Sequence, residues 1–329
     1  MTEVSFIVIA YNEAERVERV LRSISAQTDL GDYEVIVIDD CSIDETAAVT
    51  KRYSRVDPAV RLVSHHTNHG RGAARASGIA AAGGHYIAMV DADIVLPPDW
   101  YRTCREALSE SHAVSGTPIP DGDVQYLYTR FRLQPRARPG TMSINGSNAL
   151  FRREVFDSVA FDPSFRNGED IALSHAIARA DLDARTLDYV TVEHAEGKDL
   201  LQSLAWMYES GIGATRQLFT FRELRGPDVA FSLWLGSVIL GAWWTVDRRR
   251  AQPAALPIAA LVAVSGAHVR GKFFLRHESP RQIASAVVVN SSMLAAYFTG
   301  RTVGTVATGL RIGKVRFASR QRSLPATGG

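Results

Sequence analysis

The sequence predicts an α/β fold, a parallel sheet wound by helices on both faces, followed by a set of apolar C-terminal helices. Three observations predict it. Unalternated apolar runs of strand length recur through the first ninety residues, each followed by residues at helical spacing. A strand buried on both faces needs no polar side, so such runs fit a covered parallel sheet. Finally, the last hundred residues carry three long uncharged runs.

In chain order, Val4 to Ile9 is the first strand, and Asn12 can cap the helix after it. Val17, Val20, Leu21 and Ile24 recur at helical spacing to about Gln27. Glu34 to Ile38 is the second strand, ended by Asp39-Asp40, and Ser42 to Asp44 supply a turn and cap for a helix reaching about Tyr53. Val60 to Ser64 is the third strand. Gly70 to Gly72 opens a small-residue helix, Ala73 to Ala82, closed by Gly83-Gly84. His85 to Met89 is the fourth strand and leads into Val90-Asp91-Ala92-Asp93.

Polar residues stand after each strand: Tyr11, Asn12 and Glu13, then Asp39 and Asp40, then His65 to Arg71, then Asp91 and Asp93. In an open parallel sheet these ends share one crevice, where ligands bind. Asp91 and Asp93, one residue apart on an extended chain, would project to the same side. Paired oxygen ligands suit Mg²⁺ or Mn²⁺, and such a metal offsets a diphosphate. A carboxylate in the crevice can accept from a base N–H or a ribose hydroxyl, and Arg71 can meet a phosphate. For Asn12, Ser42 and Asp44 simple helix capping is the competing explanation, and for Asp39-Asp40 a solvated turn.

Composition narrows the classes. The 329 residues carry a net charge of +2 and are 46% hydrophobic, enough for one large domain and an appendage or for two domains. There is no basic excess and no aromatic pattern for nucleic acid. Cys41 and Cys104 lack metal-ligand spacing and fit a reduced compartment, with packing roles. The first strand begins almost at once, so no signal peptide is expected.

The blocks Ser5 to Glu13, Val35 to Thr46, Gly72 to Gly78, Asp91 to Asp93, Asn145 to Arg153 and Gly168 to Asp170, in this order, resemble the family 2 glycosyltransferases of the GT-A fold. The resemblance covers roughly residues 3 to 215. It implies a Rossmann-like nucleotide-diphospho-sugar transferase domain and an inverting displacement at the anomeric carbon. It implies that Asp40 contacts the nucleotide base, with Ala10, Tyr11, Asn12 and Glu13 walling the same pocket. Asp91, Ala92 and Asp93 would hold the sugar nucleotide through ribose and metal, Asp93 being the direct ligand and His194 a further metal or diphosphate contact. Asp170 matches the general base, with Asn148 and Glu169 on the acceptor side. Arg75 matches a recurrent position whose role is read as structural, and Cys41 stands where the family commonly has Gly or Asn. The chemistry needs a carboxylate to take the acceptor hydroxyl's proton as it attacks, and a base on the far side of the sugar from the metal. Asp170 opens an apolar-faced helix, where acidic residues are also common without catalysis, and the helix start is expected to keep it ionised.

Ser115 to Gly146 is rich in Pro, Gly and Arg and reads as an acceptor-side loop region. Tyr126, Tyr128 and Phe131 lie among Arg130, Arg132, Arg136 and Arg138, which fit a phosphate-bearing acceptor, anionic headgroups or plain solvated charge. Processive members of the family carry Gln-x-x-Arg-Trp after the base. Here the stretch reads Gln202-Ser203-Leu204-Ala205-Trp206, without the Arg, which favours single-sugar addition.

The composition changes near Gly226-Pro227, so the domains are placed at 1–225 and 226–329. Val229 to Val246, Ala254 to Val269 and Ile283 to Gly300 are uncharged, near the length of a bilayer span, with Trp and Arg at their ends. Two or three membrane helices are expected, against the alternative of a buried helical bundle. Thr302 to Leu310 is too brief to span. The topology stays open: a cytoplasmic catalytic half and three spans would put the basic tail, Arg311 to Arg322, outside. The reading is a multi-pass cell-membrane protein taking a nucleoside-diphosphate sugar, UDP before GDP, with Mg²⁺ or Mn²⁺. Its acceptor would be a lipid-linked glycan of the polyisoprenyl type, in cell-surface polysaccharide or glycoprotein glycan assembly. A polyisoprenyl-phosphate monosaccharide synthase, a silent sugar-nucleotide-binding scaffold and a nucleotidyltransferase are the rivals.

Overall fold

The computed structural model describes residues 2–120, 144–195, 199–222, 226–248, 255–271 and 280–322. It falls into two compact units. The first contains β1 (Val4–Ala10), α1 (Val17–Ser25), β2 (Tyr33–Asp39), α2 (Thr46–Tyr53), β3 (Val60–Ser64), α3 (Arg71–Ala81) and β4 (Tyr86–Asp91). It continues with β5 (Ile94–Val95), α4 (Trp100–Ala107), β6 (Ala113–Pro120), β7 (Asn148–Arg152), α5 (Val155–Ser158), α6 (Glu169–Arg179) and β8 (Ala184–His194). The strands form one sheet in the order β3-β2-β1-β4-β7-β6-β8-β5.

The apolar runs behave as expected. All seven residues of β1 are buried. Because side chains alternate along a strand, Val4, Phe6 and Val8 enter one core layer with Val17, Val20, Leu21 and Ile24 of α1, Val49 of α2 and Trp100 of α4. Ile7 and Ile9 enter the opposite layer with Ala74 of α3 and Leu173 and Ile177 of α6. Each such side chain contributes about 1.5–3 kcal/mol by leaving water. On the second face the packing is close. A Cβ built on Gly78 would overlap Ile7 Cγ2. Gly78→Ala should therefore destabilise the first unit by about 1–3 kcal/mol through overpacking, read as a lowered thermal midpoint.

The sheet is mixed: six of its eight strands run in one sense, and β7 and β5 run against them. β3, β2, β1 and β4 run together, but β7 is antiparallel to β4 and β6 is antiparallel to β7. β6 and β8 pair in parallel, so both run in the sense of β4. The expected loop from Ser115 thus begins as strand. Pro118 and Pro120 are tolerated because β6 pairs with β7 only through Ser115, and beyond it, among the described residues, only β8 lies alongside. Tyr126, Tyr128, Phe131 and the arginines from Arg130 to Arg138 lie outside the described residues.

The second unit contains α7 (Leu200–Phe221), α8 (Gly226–Arg248), α9 (Ala255–Gly271) and α10 (Pro280–Arg322). α7 starts on a capping box between Asp199 and Gln202. α10 is continuous through 302–310, which is therefore no separate segment. Among the described residues one stretch, Ile283–Thr308, is long and apolar enough to cross a membrane. Asp228–Leu240 and Leu256–Gly266 are shorter apolar stretches. α7 and α10 cross where Gly211 faces the Tyr297 carbonyl and Gly300 faces the Tyr208 carbonyl, positions at which a Cβ would collide with backbone. Beside the crossing, Arg301 and Asp228 form a 2.5 Å ion pair, each side chain 1% exposed.

Candidate functional site

The carboxyl ends of the parallel strands are level. Ala10 pairs with Asp39, Asp39 with Ser64, and Ile9 with Asp91. β8 runs in the same sense and brings His194 to the same edge. Strand order reverses between β1 and β4, the switch point at which such sheets open a crevice.

Two loops at this edge are stapled together. The Asn12 N–H donates to Ser42 Oγ (2.9 Å) and Asn12 Oδ1 accepts from the Ile43 N–H (2.9 Å). The Glu13 and Ala14 N–H groups donate to Thr46 Oγ1 and Asp44 Oδ2. Asn12 is therefore not a helix cap: it sits at φ 57° and α1 starts only at Val17. Its short amide tolerates this left-handed geometry and bridges to the next loop. Ser42 and Asp44 likewise tie the loops, although Asp44 also accepts from the Thr46 N–H at the start of α2. Glu13 pairs with Arg16 at 2.6 Å. Tyr11 is exposed at the rim and Ala10 is buried, its carbonyl taking the Asp40 N–H.

Asp39 and Asp40 are no solvated turn; both are buried. Asp39 Oδ1 accepts from the Ser42 N–H. Asp40 Oδ1 meets His65 Nδ1 at 2.7 Å and the His69 N–H at 3.0 Å, while Oδ2 takes the Gly70 N–H at 2.7 Å. A carboxylate offers about four acceptor positions, so about one is left for a ligand. His65 Nε2 contacts Ser77 Oγ at 2.9 Å, tying this carboxylate to α3. Gly70 must be glycine: its φ is 89° and a Cβ would lie 2.7 Å from Arg166 Cα.

The two carboxylates of the acidic tetrapeptide have different partners. β4 ends at Asp91 and the chain turns at once into β5, so Ala92 and Asp93 form a turn and not an extended strand. Asp91 Oδ1 accepts from Arg75 Nη2 at 2.7 Å. Asp93 Oδ2 lies 3.2 Å from His194 Nε2, in register because β5 pairs Ile94 with His194. The expected common projection is thus replaced by a split. Ala92 is buried, and its N–H donates to the Ile9 carbonyl. No group of three or more metal-ligating side chains occurs among the described residues. Asp93 and His194 fit a divalent ion as two hard-to-intermediate donors, the remainder being phosphate oxygens and water. Asp91 Oδ1 is taken by Arg75, so any part of Asp91 in that set would fall to its Oδ2.

The opposite pole is the head of α6. Gly168 (φ 75°) turns the chain into Glu169 and Asp170. Glu169 is 2% exposed and accepts from Arg75 Nε at 3.1 Å, with Arg71 Nε 3.6 Å away. Burial works to raise the Glu169 carboxyl, but Arg71 and Arg75 outweigh it and hold it low. Asp170 is half-buried, and burial together with the Glu169 charge pushes its carboxyl up. The helix start, whose Ile171 N–H reaches Asp170 Oδ1 at 2.8 Å, does not outweigh these effects. Arg71 also hydrogen-bonds Asn167 and remains about a third exposed. Asn148 is fully buried, its Oδ1 taking the Gly116 N–H. Neither Asn148 nor Glu169 is placed to touch an acceptor; both lie beneath the surface and support it. The resemblance implied an acceptor-side place for both, but the strand and helix starts that hold them turn them inward.

Two residues have roles the sequence did not specify. His65 was placed at the crevice only as one of the polar residues after the third strand, with no link to Asp40. Arg75 drew notice only as a recurrent position, and nothing in the linear sequence links it to Asp91 and Glu169.

A switch-point crevice lined by carboxylates at the carboxyl ends of parallel strands is a ligand-binding arrangement of open α/β sheets. The profile of Glycosyl transferase family 2 matches residues 5–160. EpsH of Bacillus subtilis, named as a glycosyltransferase, is 34% identical over 278 residues, 75% of this chain and 79% of EpsH. The succinoglycan biosynthesis protein ExoO of Rhizobium meliloti is 34% identical over 197 residues, 54% of this chain and only 56% of ExoO's own length. The chain belongs to the family 2 glycosyltransferases. The fold is similar to that of the mannosyltransferase PcManGT from Pyrobaculum calidifontis, solved with GDP-Man and Mn²⁺ (TM-score 0.58, 22% identity, 91% of this chain and 86% of that one).

Proposed function

We propose that the protein is a metal-dependent, inverting glycosyltransferase that moves one sugar from a nucleoside-diphosphate sugar to a membrane-associated glycan acceptor in polysaccharide assembly. The observation that carries this reading is the convergence at one sheet edge of Asp40, Asp91, the Asp93–His194 pair and Asp170. ExoO, named for succinoglycan biosynthesis, supports the pathway class.

Asp40 and the loop Ala10 to Glu13 receive the nucleoside. One free acceptor position on Asp40 suits a single base N–H, as in a uridine donor. Asp91, Ala92 and Arg71, about a third exposed, line the ribose and phosphate path. Asp93 and His194 would hold Mg²⁺ or Mn²⁺, which when bound offsets charge on the diphosphate. Asp170 accepts the acceptor hydroxyl's proton as the oxygen bonds to the anomeric carbon. The anomeric C–O bond to phosphate breaks with its electron pair leaving on the diphosphate. A carboxyl raised toward neutrality by burial is a better match to this task than an ordinary one.

The membrane reading rests on Ile283–Thr308 and on large apolar side chains left exposed on the helical unit: Leu233, Ile239, Ile258 and Val288 are each at least 60% exposed. The first unit would form the cytoplasmic catalytic domain; the boundary expected at 225 moves to about 198, since α7 packs with the helical unit, and residues 226–329 would hold the multi-pass membrane region. Since sugar nucleotides are cytosolic, the catalytic unit would face the cytoplasm, and a membrane-tethered transferase suits a membrane acceptor, a polyisoprenyl-linked glycan. Labelled sugar supplied as nucleotide donor with a membrane lipid extract should partition into the organic phase. Label confined to free sugar would contradict a lipid-linked acceptor.

A further inference from the structure

Three charged residues, Arg71, Arg75 and Glu169, lie between the two poles of the crevice. Arg75 is central. It is 1% exposed on α3, with Nη2 on Asp91 Oδ1 (2.7 Å) and Nε on Glu169 Oε1 (3.1 Å). Its guanidinium carbon stands 5.7 Å from the Phe161 ring centre. Gly146 lies flat against it: a Cβ there would be 3.1 Å from Arg75 Nη2 and 3.1 Å from Asp170 Cβ. One planar cation thus touches the end of β4 and the first turn of α6, and borders Asp170.

We infer that Arg75 is a positioning residue that fixes the distance between the donor-side carboxylate Asp91 and the base Asp170. The inference rests on the reading of Asp170 as the base. Asp91 and Glu169 come from elements separated by 78 positions in sequence, and no backbone pairing joins β4 to α6. What joins them is the guanidinium, whose rigid fork holds two acceptors at fixed directions. Glu169 sits one residue before Asp170, so a shift of Glu169 carries Asp170 with it. The charge balance agrees: Arg71 and Arg75 face Asp91, Glu169 and Asp170, and both arginines stabilise Glu169 as a carboxylate. Catalytic groups displaced by about 1 Å lose on the order of 10²-fold in rate.

The test uses the full chain in detergent, with turnover measured as nucleoside diphosphate release and binding as nucleoside diphosphate affinity. Arg75→Lys keeps the charge but not the fork. It should lower kcat by about 10²-fold, with donor KM and nucleoside diphosphate affinity within about threefold, since Arg75 does not line the nucleoside. Glu169→Gln keeps an acceptor for Nε but removes a charge, and kcat should fall by about tenfold. Wild-type kcat in folded Arg75→Lys would overturn the inference, as would parallel losses of kcat and nucleotide affinity, which mark a donor contact or a scaffold. Should Arg75→Lys not fold, an unchanged kcat in Glu169→Gln overturns it. Full turnover in Asp170→Asn would remove the base assignment itself, and this inference with it. A dead Asp170→Asn beside an active Arg75→Lys removes only the inference.

Discussion

Asp170→Asn should lose about 10²–10⁴-fold in kcat, the usual contribution of a positioned general base, while nucleoside diphosphate affinity stays near that of the wild type. The amide keeps the shape of the carboxyl beside Gly146 and retains an oxygen for the Ile171 N–H, so the fold is not the quantity tested. The pH profile gives a second reading. Burial and the charge of Glu169 raise the Asp170 carboxyl. The base works only when ionised, so the acid limb of kcat/KM should fall at a pH above the range of an ordinary aspartate. Glu169→Gln removes the neighbouring charge and leaves Arg71 and Arg75 less balanced. Both changes favour the ionised Asp170, so the limb should move to lower pH. A limb that stays in place would mean another group limits the profile.

The largest expected stability effect lies in the helical unit. Asp228→Leu should destabilise it by about 3–5 kcal/mol, the cost of leaving a buried charge without its partner. Arg301 is fully buried, over the Phe231 ring at 5.0 Å, and Asp228 is its ion-pair partner. Its Nη1 reaches Tyr297 Oη at 3.3 Å, and truncating Asp228 leaves the guanidinium without its ion-pair partner. The double variant Asp228→Leu with Arg301→Met replaces the pair with apolar volume and should recover most of the loss. Thermal midpoints in one detergent decide it. A single variant as stable as the wild type would show that the pair carries no stability. A double variant as unstable as the single would show that the loss came from packing and not from unpaired charge.

The parallel half of the sheet was legible in the sequence because its strands are buried on both faces, and such strands read as plain apolar runs. α1 was legible because one apolar stripe faces the core. β8 was not, since it is a half-exposed strand whose exposed tyrosine Tyr189 and scattered charges break the run. α7 was missed because it carries Gln, Glu and Arg among apolar residues and has little one-sided contrast. At the site, residue types after strand ends located the crevice, but not their partners. Sequence spacing put Asp91 and Asp93 on one side. The turn after β4 separated their partners, and long-range pairing chose Arg75 for one and His194 for the other. Asn148 and Glu169 were singled out by the family resemblance, but whether they face a ligand or the interior depends on chain packing far from them.

The most direct test of the account is nucleoside diphosphate release by the purified full chain from a panel of UDP- and GDP-sugars. Each donor would be assayed with EDTA and with added Mn²⁺ or Mg²⁺, alongside an Asp93→Ala, His194→Ala protein. The account predicts release from one donor class that EDTA abolishes, added metal restores and the double variant lacks. Wild-type release in EDTA, or undiminished metal-dependent release by the double variant, would contradict the assignment of Asp93 and His194 as the metal-holding pair in the crevice.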